Sequence, residues 1–155
     1  QISRGTLGPR PEDSMKVGVL RAYAMQVEQV VKIELAELTQ ALQEADERLA
    51  ALGREAQEGA ESYLAQARHG ATVEELSVSL GKMDSAIAAR TTAQLTRTTM
   101  QGRWTSKREQ LLEAVQYRKK LDILHERAMR ERLRRFEQSD QRLLDERAWR
   151  RTPQQ

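Results

Sequence analysis

Residues 67–76, ARHGATVEEL, are the strongest interruption in a chain otherwise rich in helix-forming residues. Gly70 suits the left-handed conformation that ends many helices, and His69 suits the negative end of a helix dipole. Thr72 followed by Glu75 fits the capping box that opens a new helix. Because the turn is short, the sequence predicts two helices that run antiparallel away from it.

The composition favours a long helical coiled coil over a globular core. Of 155 residues, 32% are charged and 4% are aromatic. Large apolar side chains are therefore scarce, and their burial is the main force that opposes chain entropy. Cysteine is absent, which excludes disulfides and thiolate metal sites. No apolar run is long enough to span a membrane, so we expect no direct membrane insertion.

Helix one is predicted at about residues 14–68. Residues 1–14 hold two of the three prolines and predict a flexible leader, either native or added to the natural chain. Apolar residues then recur at spacings of three and four, as in a heptad seam. The consecutive steps of four at Val27, Val31 and Leu35 predict a stutter in that seam. The whole stripe is Leu20, Ala24, Val27, Val31, Leu35, Leu38, Leu42, Ala45, Leu49, Leu52 and Ala56.

Helix two is predicted at about residues 73–151, after a turn at 69–72 and before a short tail at 152–155. Gly81 and Gly102 are interruptions that a helix tolerates. Its predicted seam thins in a threonine-rich stretch and comprises Leu76, Leu80, Met83, Ile87, Trp104, Leu111, Val115, Leu121, Leu124, Met129, Leu133, Phe136 and Leu143.

The two helices differ in length. At 1.5 Å per residue, helix one would be about 80 Å long and helix two about 115 Å. Folding back at Gly70 places Ser14 opposite the neighbourhood of Arg127, so the later residues lack a partner within the chain. The sequence therefore predicts an all-α fold, a long antiparallel two-helix coiled-coil hairpin with a C-terminal helical overhang.

Residues 127–151 carry nine arginines and five carboxylates. Three Glu-before-Arg pairs at a spacing of four would support a solvated helix: Glu126–Arg130, Glu131–Arg135 and Glu146–Arg150. Large apolar side chains would nevertheless stay exposed there, which favours a surface that enters a partly acidic cleft or ring. They are Leu133, Phe136, Leu143 and Trp149.

Other function classes have little support. Carboxylates interleaved with the arginines would repel phosphates, so we expect no nucleic-acid partner. His69 and His125 lie far apart in the predicted hairpin, and a two-helix rod has no pocket to perturb a carboxylate pKa. No phosphate-binding loop is present. We therefore expect no enzymatic activity, no catalytic residues, no metal and no cofactor.

The predicted tip of the hairpin is open to two interpretations. Leu76, Leu80, Met83 and Ile87 either pack in the seam against helix one, or leave some side chains, with Tyr63, available to another protein. Both can hold, because a hairpin buries only one side of each helix.

Two stretches resemble the FliJ family, the small coiled-coil proteins of the flagellar type III export apparatus. One is the opening VLRAYAMQVEQ…ELAEL. The more specific one is LDILHERAMRERLRRFEQSDQRLLDERAWRR, where Leu124, Glu126 and Arg127, and then Asp145, Glu146, Ala148 and Arg150, match the family pattern L-x-E-R…D-E-x-A-x-R. Trp104 resembles a tryptophan of that family, at a spacing longer by about one heptad.

The resemblance implies a non-enzymatic stalk, similar to the central stalk of rotary ATPases. It implies three partners: the hexameric export ATPase, the cytoplasmic domain of the export-gate membrane protein, and export chaperones. It also implies a cytoplasmic protein peripherally associated with the inner membrane at the flagellar base. The implied ATPase-binding residues are Arg127, Arg130, Leu133, Arg134, Phe136, Leu143, Asp145, Glu146 and Trp149. The implied gate-binding residues are Tyr63, Leu76, Leu80 and Met83. The stalk of a virulence type III secretion system, or a self-associating structural coiled coil, are the alternatives.

Overall fold

The computed structural model describes residues 10–152 and contains two long helices packed against each other. Helix α1 spans Pro11–Arg68 and helix α2 spans Val73–Arg151, with no strand anywhere in residues 10–152. The predicted all-α class is confirmed. Residues 1–9 of the predicted leader lie outside the described residues, whereas residues 11–14 belong to α1.

The first turn of α1 explains why the helix starts before Ser14. The carboxylate of Asp13 accepts a hydrogen bond from the backbone N–H of Arg10 at 3.2 Å. Glu12 and Asp13 also place negative charge at the positive end of the helix dipole. These acidic residues therefore stabilise a helix start within the predicted leader.

The turn between the helices has the predicted caps. Gly70 has a φ of 80°, and the N–H of Ala71 donates to the carbonyl of Gln66 at 3.0 Å, as in a Schellman motif. The N–H of Glu75 donates to Thr72 Oγ1 at 3.3 Å, and the N–H of Thr72 donates to the Glu75 carboxylate at 3.4 Å. This reciprocal pair is the capping box that starts α2.

The chain divides into two compact units. The tip unit comprises residues 31–111 and includes the turn. The base unit comprises residues 1–30 and 112–155, of which residues 10–30 and 112–152 are described.

In the tip unit, polar contacts tie the two antiparallel helices together. Trp104 Nε1 donates to Thr39 Oγ1 at 2.9 Å, and Lys107 pairs with Glu34 at 2.6 Å. Nearer the turn, Ser79 Oγ donates to the side-chain oxygen of Gln66 at 2.6 Å. Most seam side chains of this unit are only half-buried, since two helices cannot enclose a core.

In the base unit, the seam between the helices is built from alanine, leucine and charged side chains. Ala24 on α1 and Leu121 and Ala128 on α2 are buried. Arg21 pairs with Asp122 at 2.6 Å, and Arg118 pairs with Glu28. As the α1 partner advances from 21 to 28, the α2 partner recedes from 122 to 118, so the helices are antiparallel.

The predicted stutter on α1 is wrong. Glu28, with only 5% of its surface exposed, occupies a seam position between Ala24 and Val31. The spacing of three and four therefore continues without a break. The sequence suggested Val27 because it is apolar, but the carboxylate of Glu28 can be buried because it accepts a hydrogen bond from Arg118.

Parts of the predicted α2 seam are wrong by one residue. Leu80, Ile87, Leu124 and Met129 are exposed, and Leu20 is exposed on α1. The positions next to them pack instead, because small or polar side chains there let the helices approach and form cross-helix hydrogen bonds. These packed residues are Ser79, Ala86, His125 and Ala128 on α2, and Arg21 on α1.

Candidate functional site

The C-terminal part of α2 extends beyond all packing in the base unit. Ala128 is buried and Glu131 is half-buried, but every residue from 132 to 152 is exposed. The helix nevertheless continues to Arg151. We call residues 132–151 the overhang, and its presence confirms that element of the predicted fold.

The first part of the overhang carries a line of arginines beside a stripe of large apolar side chains. The seam of α2 passes through His125 and Ala128. Continued at spacings of four and three, this line first meets three arginines and a serine, then an acidic and an aromatic residue: Arg132, Arg135, Ser139, Arg142, Glu146 and Trp149. The large apolar side chains lie one residue later, about 100° further round the helix, at Met129, Leu133, Phe136 and Leu143. A partner can therefore contact a basic line and an apolar stripe side by side.

Ion pairs within α2 support its helical conformation near the start of the overhang. Arg130 pairs with Glu126 at 2.5 Å, and Arg135 pairs with Glu131 at 3.3 Å, as the sequence predicted. Each exposed pair contributes a few tenths of a kcal/mol to helix stability. The third predicted pair, Glu146–Arg150, does not form between these two described residues, and Asp145 instead accepts a hydrogen bond from Gln141.

The remaining implied ATPase-binding residues are also accessible. Arg127, Arg130 and Arg134 are exposed. Near the end of the helix, Asp145, Glu146 and Trp149 are exposed within two turns of one another, and the Trp149 side chain has 81% of its surface exposed. The structure thus places this whole set on the exposed C-terminal stretch of α2.

A charged cluster fixes the helices of the base unit before the overhang begins. Arg118 bridges Glu28 on α1 and Asp122 on α2, and Asp122 also accepts a hydrogen bond from Arg21. The hydrogen bond from Arg21 is the main cause that lowers the pKa of Asp122 below its ordinary value. The hydrogen bond to Glu28 raises the pKa of Arg118. A polar group at a seam position specifies which residues pair across a coiled coil.

The four implied gate-binding residues divide into two groups. Tyr63, Leu76 and Met83 are half-buried at seam positions between the helices of the tip unit. Leu80, in contrast, is exposed over 43% of its surface. The structure therefore does not bring the four side chains together on one exposed surface.

One exposed side of α2 in the tip unit includes Leu80 and Ile87, for which the sequence left open both seam packing and contact with another protein. Val73, Leu80 and Ile87 are exposed and recur every seven residues, so they share one side of the helix. Ser77 and Asp84 lie between them. Recurrence at seven residues, one position after the seam, is the signal that could have identified this side, which we call the tip stripe.

The described residues offer few groups for other chemistry. His69 is exposed at the turn, and His125 is half-buried in the base unit. Within residues 10–152, no three His, Cys, Asp or Glu side chains are grouped so that they could hold a metal ion. No helix in this part of the chain is long and apolar enough to cross a membrane.

Comparison with known proteins identifies the family. A family model described as the flagellar FliJ protein matches residues 16–155, which include most of both helices and the whole overhang. No curated protein and no solved structure matches the chain. Because the match covers far more than half of its length, the chain belongs to the FliJ family, whose members are structural components of the flagellar type III export apparatus.

Proposed function

We propose that this protein is a stalk that inserts its overhang into the hexameric export ATPase and stimulates ATP hydrolysis. The tip unit contacts the cytoplasmic domain of the export-gate membrane protein. Export chaperones are further partners, and the protein acts in the cytoplasm, peripherally associated with the inner membrane at the flagellar base.

One observation carries the proposal: a helical overhang with exposed apolar side chains. An isolated helix of this length is marginal in water unless a partner supports it. Leu133, Phe136, Leu143 and Trp149 each have half or more of their surface exposed. Burial of one such side chain contributes about 1.5–3 kcal/mol, so a cavity that encloses the overhang would gain substantial affinity.

The charge of the overhang indicates the lining of that cavity. Arg132, Arg135 and Arg142 follow one line along the helix, and an acidic lining would complement them. An apolar lining would complement the stripe that contains Leu133 and Phe136. This pairing of two chemistries explains why arginine and large apolar side chains occur together in a segment that α1 does not cover.

Truncation after Glu131 tests the proposal, because it removes the overhang and leaves the buried residue Ala128 in place. We expect the truncated protein to keep its helical base and tip units and to lose stimulation of the ATPase. Hydrolysis rate and ring assembly are measured against the full chain. Full stimulation by the truncated protein would contradict the insertion of the overhang.

We further propose that gate binding uses the tip stripe, with Leu80 as the contact, and that Tyr63, Leu76 and Met83 act by holding the helices together. In a chain with 32% charged residues, the tip stripe has one charge, Asp84, among five positions. An apolar stripe with so little charge is suited to a protein partner.

Substitutions can separate contact from packing at the tip. We expect Leu80→Gln with Ile87→Gln to weaken binding of the isolated gate domain while leaving helicity unchanged. Val78→Gln is the control, because Val78 is even more exposed, over 60% of its surface, but lies on a different side of α2. If the double variant binds as the natural chain does, or if the control loses as much affinity, the tip stripe is not the contact.

Self-association is the second candidate function, since the exposed apolar stripe of the overhang could also pair with a second copy. Light scattering of the isolated protein separates the two functions. The stalk function predicts a monomer, and a stable dimer would support the structural coiled coil.

A further inference from the structure

One section of α2 in the tip unit is rich in poor helix formers. Of the twelve residues 91–102, TTAQLTRTTMQG, five are threonine and the last is glycine. A β-branched side chain loses rotational freedom in a helix, and glycine is the poorest helix former after proline. We call residues 91–102 the threonine segment. Its helical conformation has weak intrinsic support, although α2 runs through it without interruption.

The threonine hydroxyls also compete for the hydrogen bonds of the helix backbone. Each hydroxyl donates to the carbonyl four residues earlier, at 2.9–3.1 Å: Thr91, Thr92, Thr96, Thr98 and Thr99. That carbonyl is also the normal acceptor for the backbone N–H of the same threonine. Such hydroxyl contacts slightly destabilise a helix and often bend it. In this segment, several of them act within about two turns.

The section of α1 that lies opposite consists of strong helix formers. Arg97 pairs with Asp46, and Trp104 donates to Thr39, so residues 41–52 face the threonine segment. Seven of these twelve residues are alanine or leucine, and none is glycine or threonine. Alanine and leucine are at the favourable end of the helix-propensity scale. The two helices therefore differ in local stability where they face each other.

Packing across the seam compensates little for the weakness of the threonine segment. Between Ala86 and Met100, the half-buried residues of α2 are two alanines and an arginine: Ala89, Ala93 and Arg97. Their small side chains leave a groove of about 380 Å³ beside the two alanines. The side chains of the Arg97–Asp46 pair are 34% and 49% exposed, and exposed ion pairs contribute little to stability. Few buried contacts therefore oppose local opening.

The helices are held together on both sides of the threonine segment. Between the segment and the turn, Ala86 is buried and Ser79 donates to Gln66. Beyond the other end of the segment, Trp104 donates to Thr39. Opening can therefore be confined to the residues between these contacts.

We propose that the threonine segment is a joint, at which α2 opens locally while residues 41–52 of α1 stay helical. Sections with few buried apolar contacts open at a lower free energy than the whole protein unfolds. Opening releases the backbone hydrogen bonds of the segment and the ion pair of Arg97. The section that carries the tip stripe can then change direction, because α1 alone connects it to the rest of the tip unit. The joint is a property of the isolated chain and does not depend on the proposed partners.

Amide hydrogen exchange of the full chain tests the joint. We expect the amides of residues 91–102 to exchange about tenfold faster than those of residues 112–122 on α2 and 41–52 on α1. Thr92→Ala with Thr96→Ala and Thr99→Ala should slow exchange of the segment about tenfold, because alanine is the better helix former and lacks the hydroxyl.

The matched control replaces two exposed hydroxyl residues of α2 in the tip unit that lie outside the segment. In Ser77→Ala with Ser85→Ala, exchange of residues 91–102 should be the same as in the natural chain. The triple alanine variant should be at least as helical and as thermally stable as the natural chain, so a folding defect does not obscure its result.

Spin labels measure the bending, and the absence of cysteine allows them to be placed at Ser77→Cys and Ser106→Cys. A straight helix would separate these two positions by about 44 Å. We expect the natural chain to give a broad distribution that extends to shorter distances. The triple alanine variant should give a narrower distribution close to the straight-helix value.

Four results would overturn the joint. Exchange of residues 91–102 as slow as that of residues 112–122 would show that the segment does not open. Equally fast exchange of residues 41–52 would show that both helices open together. Unchanged exchange in the triple alanine variant would show that the threonines are not the cause. Equally narrow distance distributions in both chains would show that the tip unit does not bend there.

Discussion

A proline at position 139 separates the conformation of the overhang from its composition. Ser139 lies inside the overhang and is exposed, so replacing it disturbs no packing with α1. Proline removes the hydrogen bond from the backbone N–H of residue 139 and clashes with the carbonyl of residue 135. We therefore expect Ser139→Pro to interrupt α2 within the overhang and to leave the paired helices intact.

The magnitude follows from the exposure of the segment. Proline in a helix interior costs about 3 kcal/mol, and the twelve residues beyond it form a helix too short to be stable alone. The helices hold 58 and 79 residues, so loss of residues 140–151 removes a little under a tenth of the helical residues. We expect ellipticity at 222 nm to fall by about that fraction. The thermal midpoint should be unchanged, because no buried contact is lost.

The assay combines circular dichroism, thermal unfolding and ATPase stimulation. Stimulation should be lost in Ser139→Pro, since the apolar stripe and the arginine line are aligned only on a continuous helix. Ser139→Ala is the control, and its helix should be at least as stable as that of the natural chain. Full stimulation by the proline variant would refute the requirement for a helical overhang. A large fall in thermal midpoint would instead show that the overhang packs against another surface in the isolated protein.

Three further predictions concern stability. Gly102→Ala should stabilise the protein by about 0.8–1 kcal/mol, because alanine is the better helix former and its Cβ would meet nothing within 4 Å. Gly70→Ala should destabilise the protein by about 1 kcal/mol, because Gly70 has a φ of +80°. Urea unfolding measures the sign of both changes. The pKa of Asp122 is lowered in the folded protein, so its carboxylate contributes to folding stability as the charged form. This contribution is complete above the ordinary pKa of 3.8, and it is lost as the pH falls through the lower pKa of the folded state. Thermal midpoints should therefore fall less steeply with acid in Asp122→Asn than in the natural chain, and identical slopes would contradict this origin.

The candidate contact surfaces were partly predictable from sequence. Leu133, Phe136 and Trp149 stood out because they are large apolar side chains beyond the reach of α1, and helix length alone establishes that reach. The exposure of Val19 and Tyr23 on α1 was not predicted. These side chains lie beside the seam residues in sequence, and only their exposure in the structure separates them from the seam.

In the tip unit, apolar residues that form one pattern in the sequence differ in their exposure in the structure. Leu76, Leu80 and Met83 belong to one apolar pattern in the sequence, but the structure half-buries Leu76 and Met83 and exposes Leu80. A difference of one residue rotates a side chain by about 100° round a helix, which is enough to move it from the seam to solvent. The periodicity of apolar residues misses this rotation because the packed neighbour of Leu80 is a polar residue, Ser79, which donates a hydrogen bond across the seam to Gln66.

The sequence by itself determined the helical class, the turn at Gly70 and the unequal lengths of the two helices. These features depend on local interactions, namely helix propensity, capping and a glycine in the left-handed region. Only the tertiary structure decided which line of each helix is buried. Glu28 lies in the seam because Arg118, ninety residues away in sequence, donates to its carboxylate. Ala86 and Ala128 pack while Ile87 and Met129 are exposed, since a two-helix structure covers one side of each helix and cross-helix fit selects that side.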